Sequence, residues 1–263
     1  MCNQEDIEFT SASEWLGDIT EDFSPKGPAL APLRLSTGLA AFDERFGGIP
    51  APGITTLIGK PGVGRTSFCL NFALWRARRG ERVLIIPDFR RYSDIGSRLL
   101  SVATGLPSRV TVYGAMNSEE WGRLVAGIKE LSTLPIWVCE WCQETDGNVL
   151  GWLKAARDRQ HISVVIADPI SSGYFWDVTN DPNVASAVRS MGLCVLLPDD
   201  EWRWLLMKSD SVDTDIRLRR TENVTGSMDE RRQLTGIVSH NCGGPVGHFR
   251  FEFDLASGQF VRR

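Results

Sequence analysis

The sequence predicts an α/β fold, a parallel sheet flanked by helices with antiparallel strands towards its C-terminal end, on three observations. Apolar runs of strand length at 54–58, 83–86, 162–167 and 193–197 alternate with stretches of helical spacing, as βαβ units require. The first run leads into Gly59-Lys60-Pro61-Gly62-Val63-Gly64-Arg65-Thr66-Ser67, a glycine-rich turn at the point where a strand feeds a helix. Past residue 213 the texture changes to alternating segments at 216–219, 234–238 and 248–253, which read as antiparallel strands closing the sheet.

Taken in order, residues 1–34 form an expected acidic tail and linker. They hold Glu5, Asp6, Glu8, Glu14, Asp18, Glu21 and Asp22 against Lys26 and Arg34. Trp15, Ile19 and Phe23 recur every fourth residue, as on one helical face, before a Pro/Gly connector at 24–32. The body, 35–263, is read as one nucleotide-binding domain. Ser36-Thr37-Gly38 opens a helical stretch through Phe42 and Phe46 that Gly47-Gly48 terminates. Phe68, Leu70, Phe72 and Leu74 mark the helix after the glycine turn. Further helices are expected at 93–103, from Ser118 onward with a serine cap, and at 148–159; a strand is expected at 135–139.

The whole chain carries a net charge of −4, and the acidic tail accounts for it, so the body is close to neutral. That is not the footprint of a strong nucleic-acid binder. No apolar run has the length of a membrane span, and acids stand where a signal peptide needs bases; the expectation is a cytoplasmic protein with no membrane partner. Six cysteines at irregular spacing do not form a secreted disulfide framework. Cys69 and Cys194 fall in helical and strand-like runs, where buried free thiols are expected.

The glycine turn carries the chemistry. Backbone N–H groups of such a loop, with the open end of the following helix, donate to nucleotide phosphates. A hydroxyl at Thr66 suits a magnesium ion, so ATP and Mg2+ are the expected ligands, held by Gly59 through Ser67. Where the pattern wants Lys, the chain has Arg65, whose planar fork keeps the charge and changes the shape. Val164-Val165-Ile166-Ala167-Asp168 is an apolar strand ending in a carboxylate, which makes Asp168 the second candidate magnesium ligand. Lys60 is either a partial replacement for the missing amine or a solvated side chain.

These residues, with Arg98-Leu99-Leu100-Ser101, Gly105-Leu106-Pro107, Glu120-Trp121 and Gly244-Pro245-Val246-Gly247 before Phe249-Arg250-Phe251, resemble the C-terminal, RecA-fold ATPase domain of the DnaB-type replicative helicases from residue 35 onward. The resemblance implies a RecA-like P-loop fold, nucleotide binding, a role in DNA replication, and partners among a replicative helicase, its loader or further copies of the chain. Residues 1–34 are too short to be expected to hold the family's N-terminal helical domain, and the resemblance likens them to the linker by which such rings grip their neighbours. Departures from the pattern imply that hydrolysis is weak or lost. Asp88 stands one position early and one methylene short for the catalytic Glu, and is only a candidate base. A phosphate-sensing Gln is replaced around Pro198-Asp199. Ser239-His240-Asn241-Cys242 lacks the Lys and Arg that the family supplies to a neighbouring subunit's nucleotide. The alternative is a non-catalytic scaffold on the same fold. An early lysine like Lys60 also occurs in the deviant loops of partition-type ATPases.

Three weaker features remain open. Ser171 through Trp176 could offer aromatics to single-stranded DNA, or pack. Arg217, Arg219 and Arg220 read as a phosphate-facing stripe or as an exposed sheet edge kept soluble by charge, the second being preferred. Cys139-Glu140-Trp141-Cys142 with His240 and Cys242 has spacing suited to zinc but lacks a second C-x-x-C. His161 and His248 have no evident partner.

Overall fold

The computed structural model describes residues 33–87, 92–139, 149–168, 175–201, 211–220 and 231–261. Within them the elements run β1 (Arg34–Leu35), α1 (Ala40–Phe46), β2 (Ile49–Pro50), β3 (Gly53–Gly59), α2 (Arg65–Ala77), β4 (Val83–Pro87), α3 (Tyr92–Thr104), α4 (Ser108–Tyr113), α5 (Ser118–Thr133), β5 (Ile136–Val138), α6 (Val149–Gln160), β6 (Val164–Asp168), α7 (Trp176–Asn180), α8 (Pro182–Ser190), β7 (Cys194–Asp199), β8 (Thr214–Arg220), β9 (Arg231–Asn241) and β10 (Gly247–Asp254). The tail to residue 32, Asp88 and Cys142 lie outside the described residues.

One eight-stranded sheet has the order β10-β9-β8-β3-β7-β6-β4-β5. Every pairing from β8 through β5 is parallel, and only β8 with β9 and β9 with β10 are antiparallel. The three C-terminal strands are antiparallel to one another in succession, as expected. β8 runs parallel to β3 and is hydrogen-bonded on both sides, so it is no edge.

Period-two alternation of apolar residues builds three layers. Val83 and Ile85, Val164 and Ile166, and Cys194 and Leu196 face the core under α1, α2 and α3; Leu84 and Ile86, Val165 and Ala167, and Val195 and Leu197 face the one under α6, α7 and α8. Both sheet faces are covered, which is why these strands read as unbroken apolar runs. Cys69 and Cys194 are buried free thiols, as expected, and burial pushes the Cys194 thiol up to about 12.

Local boundaries moved where side chains compete for backbone groups. The expected start at Ser36 lies outside the helix, and α1 begins at Ala40. The Asp43 carboxylate accepts from Thr37 N–H at 2.7 Å, Thr37 Oγ1 at 2.8 Å and Gly38 N–H at 3.0 Å, holding those residues outside the helix. Burial pushes the Asp43 carboxyl above its ordinary range, against the pull of those donors. Asp43→Ala should lower stability by about 1–3 kcal/mol, the cost of orphaning part-buried donors; a urea midpoint unchanged from wild type would refute this. Gly47 terminates α1 in the left-handed region, φ 74°, as read. α5 is capped by Asn117 rather than Ser118, in a reciprocal box with Glu120. The short helices α4, α7 and α8 were not anticipated.

Candidate phosphate-binding site

The glycine turn lies between the carboxyl end of β3 and the N-terminus of α2, on the sheet edge where ligands of open α/β folds bind. Val63 N–H donates to Lys60 C=O at 3.1 Å and closes the turn, while buried Val63 anchors it from below. Gly62 and Gly64 have φ of 74° and 109°, a region that side chains rarely enter. A Cβ on Gly64 would also stand 2.9 Å from the Phe253 ring. The tight fit means that loop shape is enforced by β10, packed beneath it.

α2 begins with no acidic residue in its first turn and no side-chain cap on Gly64. Its first amides therefore have no acceptor within the helix, and its positive dipole end has no internal counter-charge. Such an arrangement can bind a phosphate oxygen through backbone donors alone. The residues present fit a nucleotide phosphate chain.

The predicted site residues occupy distinct places. Lys60, Pro61 and Gly62 are exposed at the mouth, and Arg65, Thr66 and Ser67 are half-buried on the first turn of α2. Ser67 packs against Gly258, whose added Cβ would lie 3.0 Å from Ser67 Oγ. Asp168 ends β6, and β7 separates that strand from β3. Ile166 stands opposite Leu196, which stands opposite Thr55, so the backbone of Asp168 follows two residues further towards the loop end.

Sequence reading missed Asp200. Asp199, at the end of β7, is level with Ile58 and buried, and the N–H of Asp200 donates to Asp199 Oδ1 at 2.7 Å. That brings the next carboxylate to the loop, where Asp200 Oδ1 accepts from Arg65 Nη2 at 2.5 Å. The Arg65 side chain is 13% exposed and that of Asp200 35%. Arg65 Nη1 is buried with no partner among the described residues. The guanidinium that replaces the usual ammonium is thus engaged by its own chain.

Beside the loop lies a cavity of about 660 Å³ lined by Lys60, Pro61, Val63, Glu201, Leu218, Arg219 and Arg220. Arg220 Nη2 is 3.7 Å from the point where a Cβ on Gly62 would sit, so it flanks the loop directly. Arg219 pairs with Glu201 at 3.6 Å. The preferred reading of this arginine stripe as a soluble edge is overturned, because β8 is internal and its carboxyl end meets the loop. The local charge is positive, three cations against Glu201.

Elsewhere the structure separates what the sequence juxtaposed. Asn241 is buried; its Oδ1 accepts from Arg34 Nη2 at 2.9 Å and Thr214 Oγ1 at 3.0 Å, and its Nδ2 donates to Pro245 C=O at 2.7 Å. That side chain is committed to its own fold. Cys139, after β5, and His240, on β9, are six strand spacings apart, on the order of 30 Å, so they cannot share a zinc ion. Among the described residues no group of three or more His, Cys, Asp or Glu could hold a metal. Phe175 is buried in the core and unavailable to a base, and residues 171–174 lie outside the described part. No helix among the described residues is long and apolar enough to cross a membrane.

Residues 34–172, just over half of the chain, match the family model of the DnaB-like helicase C terminal domain. The probable replicative DNA helicase of Trieres chinensis is 28% identical over 112 residues, covering 42% of this chain and 24% of that protein. Replicative DNA helicase DnaB of Rickettsia bellii is 28% identical over 117 residues, covering 40% of this chain and 24% of that protein. The matched stretch is about a quarter of the length of these relatives. Among solved structures, an isolated ATPase domain aligns with a TM-score of 0.72 at 15% identity, covering 97% of this chain and 100% of that one. A DnaB-like replicative helicase studied with its interactions with primase aligns at 0.71 and 16% identity, covering 97% and 67%. A KaiC-like protein of Pyrococcus horikoshii aligns at 0.59 and 16%, covering 88% and 98%. The fold is RecA-like, and at these identities the structural likeness speaks to the fold alone.

Proposed function

Because the chain belongs to the DnaB-like helicase C terminal domain family, we propose that residues 35–263 are a nucleotide-binding domain associated with DNA replication in which ATP hydrolysis is weak or lost. The observation that carries this reading is the loop itself. Its backbone keeps the phosphate-cradling shape, while Arg65, the cation that stands in for the usual Lys, is paired with Asp200.

In this reading the amides of the loop and of the first turn of α2 hold the phosphates. Arg220 and Lys60 supply positive charge at the mouth. Thr66 and Asp168 are the residues that would hold magnesium, which when bound neutralises phosphate charge. Hydrolysis needs more: charge stabilisation of the transferring phosphoryl group, of which a trans-acting arginine alone is worth roughly 10³–10⁵ in rate. The 239–242 stretch carries no such cation, and Asn241 is turned inward. Asp88 remains the candidate base.

A second reading, a scaffold that docks on a helicase, a loader or itself, is favoured by one observation. Trp121, Val125 and Ile128 lie 58%, 47% and 48% exposed at i, i+4 and i+7 on α5, an apolar stripe on the solvent side.

The test is a titration of the purified chain with fluorescent ADP and ATP analogues, with and without magnesium, following phosphate release in the same samples. Saturable binding is expected, with release slower by about 10³-fold or more than in a helicase domain carrying the full set of groups. Brisk release would overturn the weak-hydrolysis half of the proposal. Absence of any binding would leave the scaffold reading.

A further inference from the structure

We infer that this loop takes a nucleoside diphosphate in preference to a triphosphate, because the Arg65–Asp200 ion pair stands where a γ-phosphate would be met. The inference rests on the nucleotide-binding reading and adds the ligand class.

In a loop of this type the side chain at position 65 is the one that reaches the β- and γ-phosphates, whereas backbone amides cradle the phosphates nearer the ribose. Here Arg65 Nη2 already donates to Asp200. The carboxylate is held in place by the short link to Asp199, which sits beside Ile58 at the end of β7, one residue before the loop begins. A γ-phosphate must either displace Asp200 from Arg65 or lie against a carboxylate of like charge. Both cost affinity, and both costs are absent for a diphosphate.

The other arm of the guanidinium favours the shorter ligand. Nη1 is buried without a partner among the described residues, and an orphaned buried donor is costly until an acceptor reaches it. A terminal β-phosphate oxygen is an acceptor of the kind that Nη1 lacks. Glu201, the next residue, is already paired with Arg219 and so opposes an incoming phosphate less. Asp200 is 35% exposed, and solvent screening limits the repulsion to a modest factor rather than an absolute block.

The experiment measures dissociation constants for unlabelled ADP and ATP with magnesium, by displacement of a fluorescent nucleotide from the full chain. Wild type, Asp200→Asn and, as a charge control, Glu119→Gln, exposed on the first turn of α5, are compared. Expected are ADP binding about tenfold or more tighter than ATP in wild type, a gain of about tenfold for ATP in Asp200→Asn with ADP little changed, and a wild-type ratio in Glu119→Gln. ATP binding as tightly as ADP in wild type would overturn the inference, and so would a ratio unmoved in Asp200→Asn or moved equally by Glu119→Gln. Should neither nucleotide bind any of the three proteins, the nucleotide-binding reading falls and this inference with it. Binding that favours ATP sinks the inference alone. The wild-type ratio is decisive even where a variant fails to fold.

Discussion

Gly64→Val is expected to reduce nucleotide affinity by more than about 100-fold while leaving the sheet intact. Residue 64 sits at φ 109°, where a β-branched side chain is strained, and its Cβ would meet the Phe253 ring at 2.9 Å. Since Phe253 belongs to a packed strand, the loop must give way. Its N–H groups then lose the common focus on which phosphate binding depends. Two lost charge-assisted hydrogen bonds, at about 1.5–3 kcal/mol each, exceed a 100-fold change. The measurement is a fluorescent-nucleotide titration alongside far-UV circular dichroism. Wild-type affinity in a folded variant would mean that nucleotide binds elsewhere.

The largest expected effect on stability is at Phe249. Its ring lies 5.1 Å from Phe42 and 5.8 Å from Phe46, centroid to centroid, both edge-on, and stacks on Phe251 at 5.5 Å. Opposite it on β9 is Gly236, where an added Cβ would lie within 2.1 Å of the ring. The glycine leaves a slot that the phenyl fills, and α1 closes over it. Phe249→Ala should destabilise by about 3–5 kcal/mol from lost transfer energy and the remaining cavity, with edge-on contacts adding to the loss. For a domain of this size that corresponds to a fall of roughly 10 °C in Tm. Leu255→Ala, at a position 42% exposed, should change stability by less than about 0.5 kcal/mol. A difference below about 1 kcal/mol between the two would show that α1 and β10 do not share one cooperative core.

Both effects meet at β10. Phe249 holds that strand to α1, and Phe253 further along it limits what can stand at Gly64. A loss of packing at Phe249 should therefore weaken nucleotide binding too, by loosening the wall behind the loop.

Residue order was enough to place most of the elements and to single out the glycine turn between β3 and α2. Apolar runs located β3, β4, β6 and β7 within about two residues, because a strand buried on both faces must be apolar throughout. The glycine spacing, with a strand before it and a helical repeat after it, located the strand–turn–helix junction and its left-handed glycines, since backbone conformation there follows from local residue type. Caps were less legible: Asn117 and Ser118 are both good N-cap residues, and only the reciprocal bond with Glu120 selects the first.

What surrounds the loop follows from packing instead. β7, not β6, lies next to β3, so Asp199 at its end and Asp200 just after it, rather than Asp168, are the acids closing the strand beside the loop strand. Arg65 and Asp200 are separated by 135 positions, and no local pattern announces their pairing. β8 resembles an exposed edge in its alternating arginines, yet it is sealed between β3 and β9, which carries Arg220 to the glycine turn. One cause underlies all three. Periodicity reports which face of a segment is buried, whereas strand order is set by how whole segments pack, and charges at strand ends acquire partners only once that order exists.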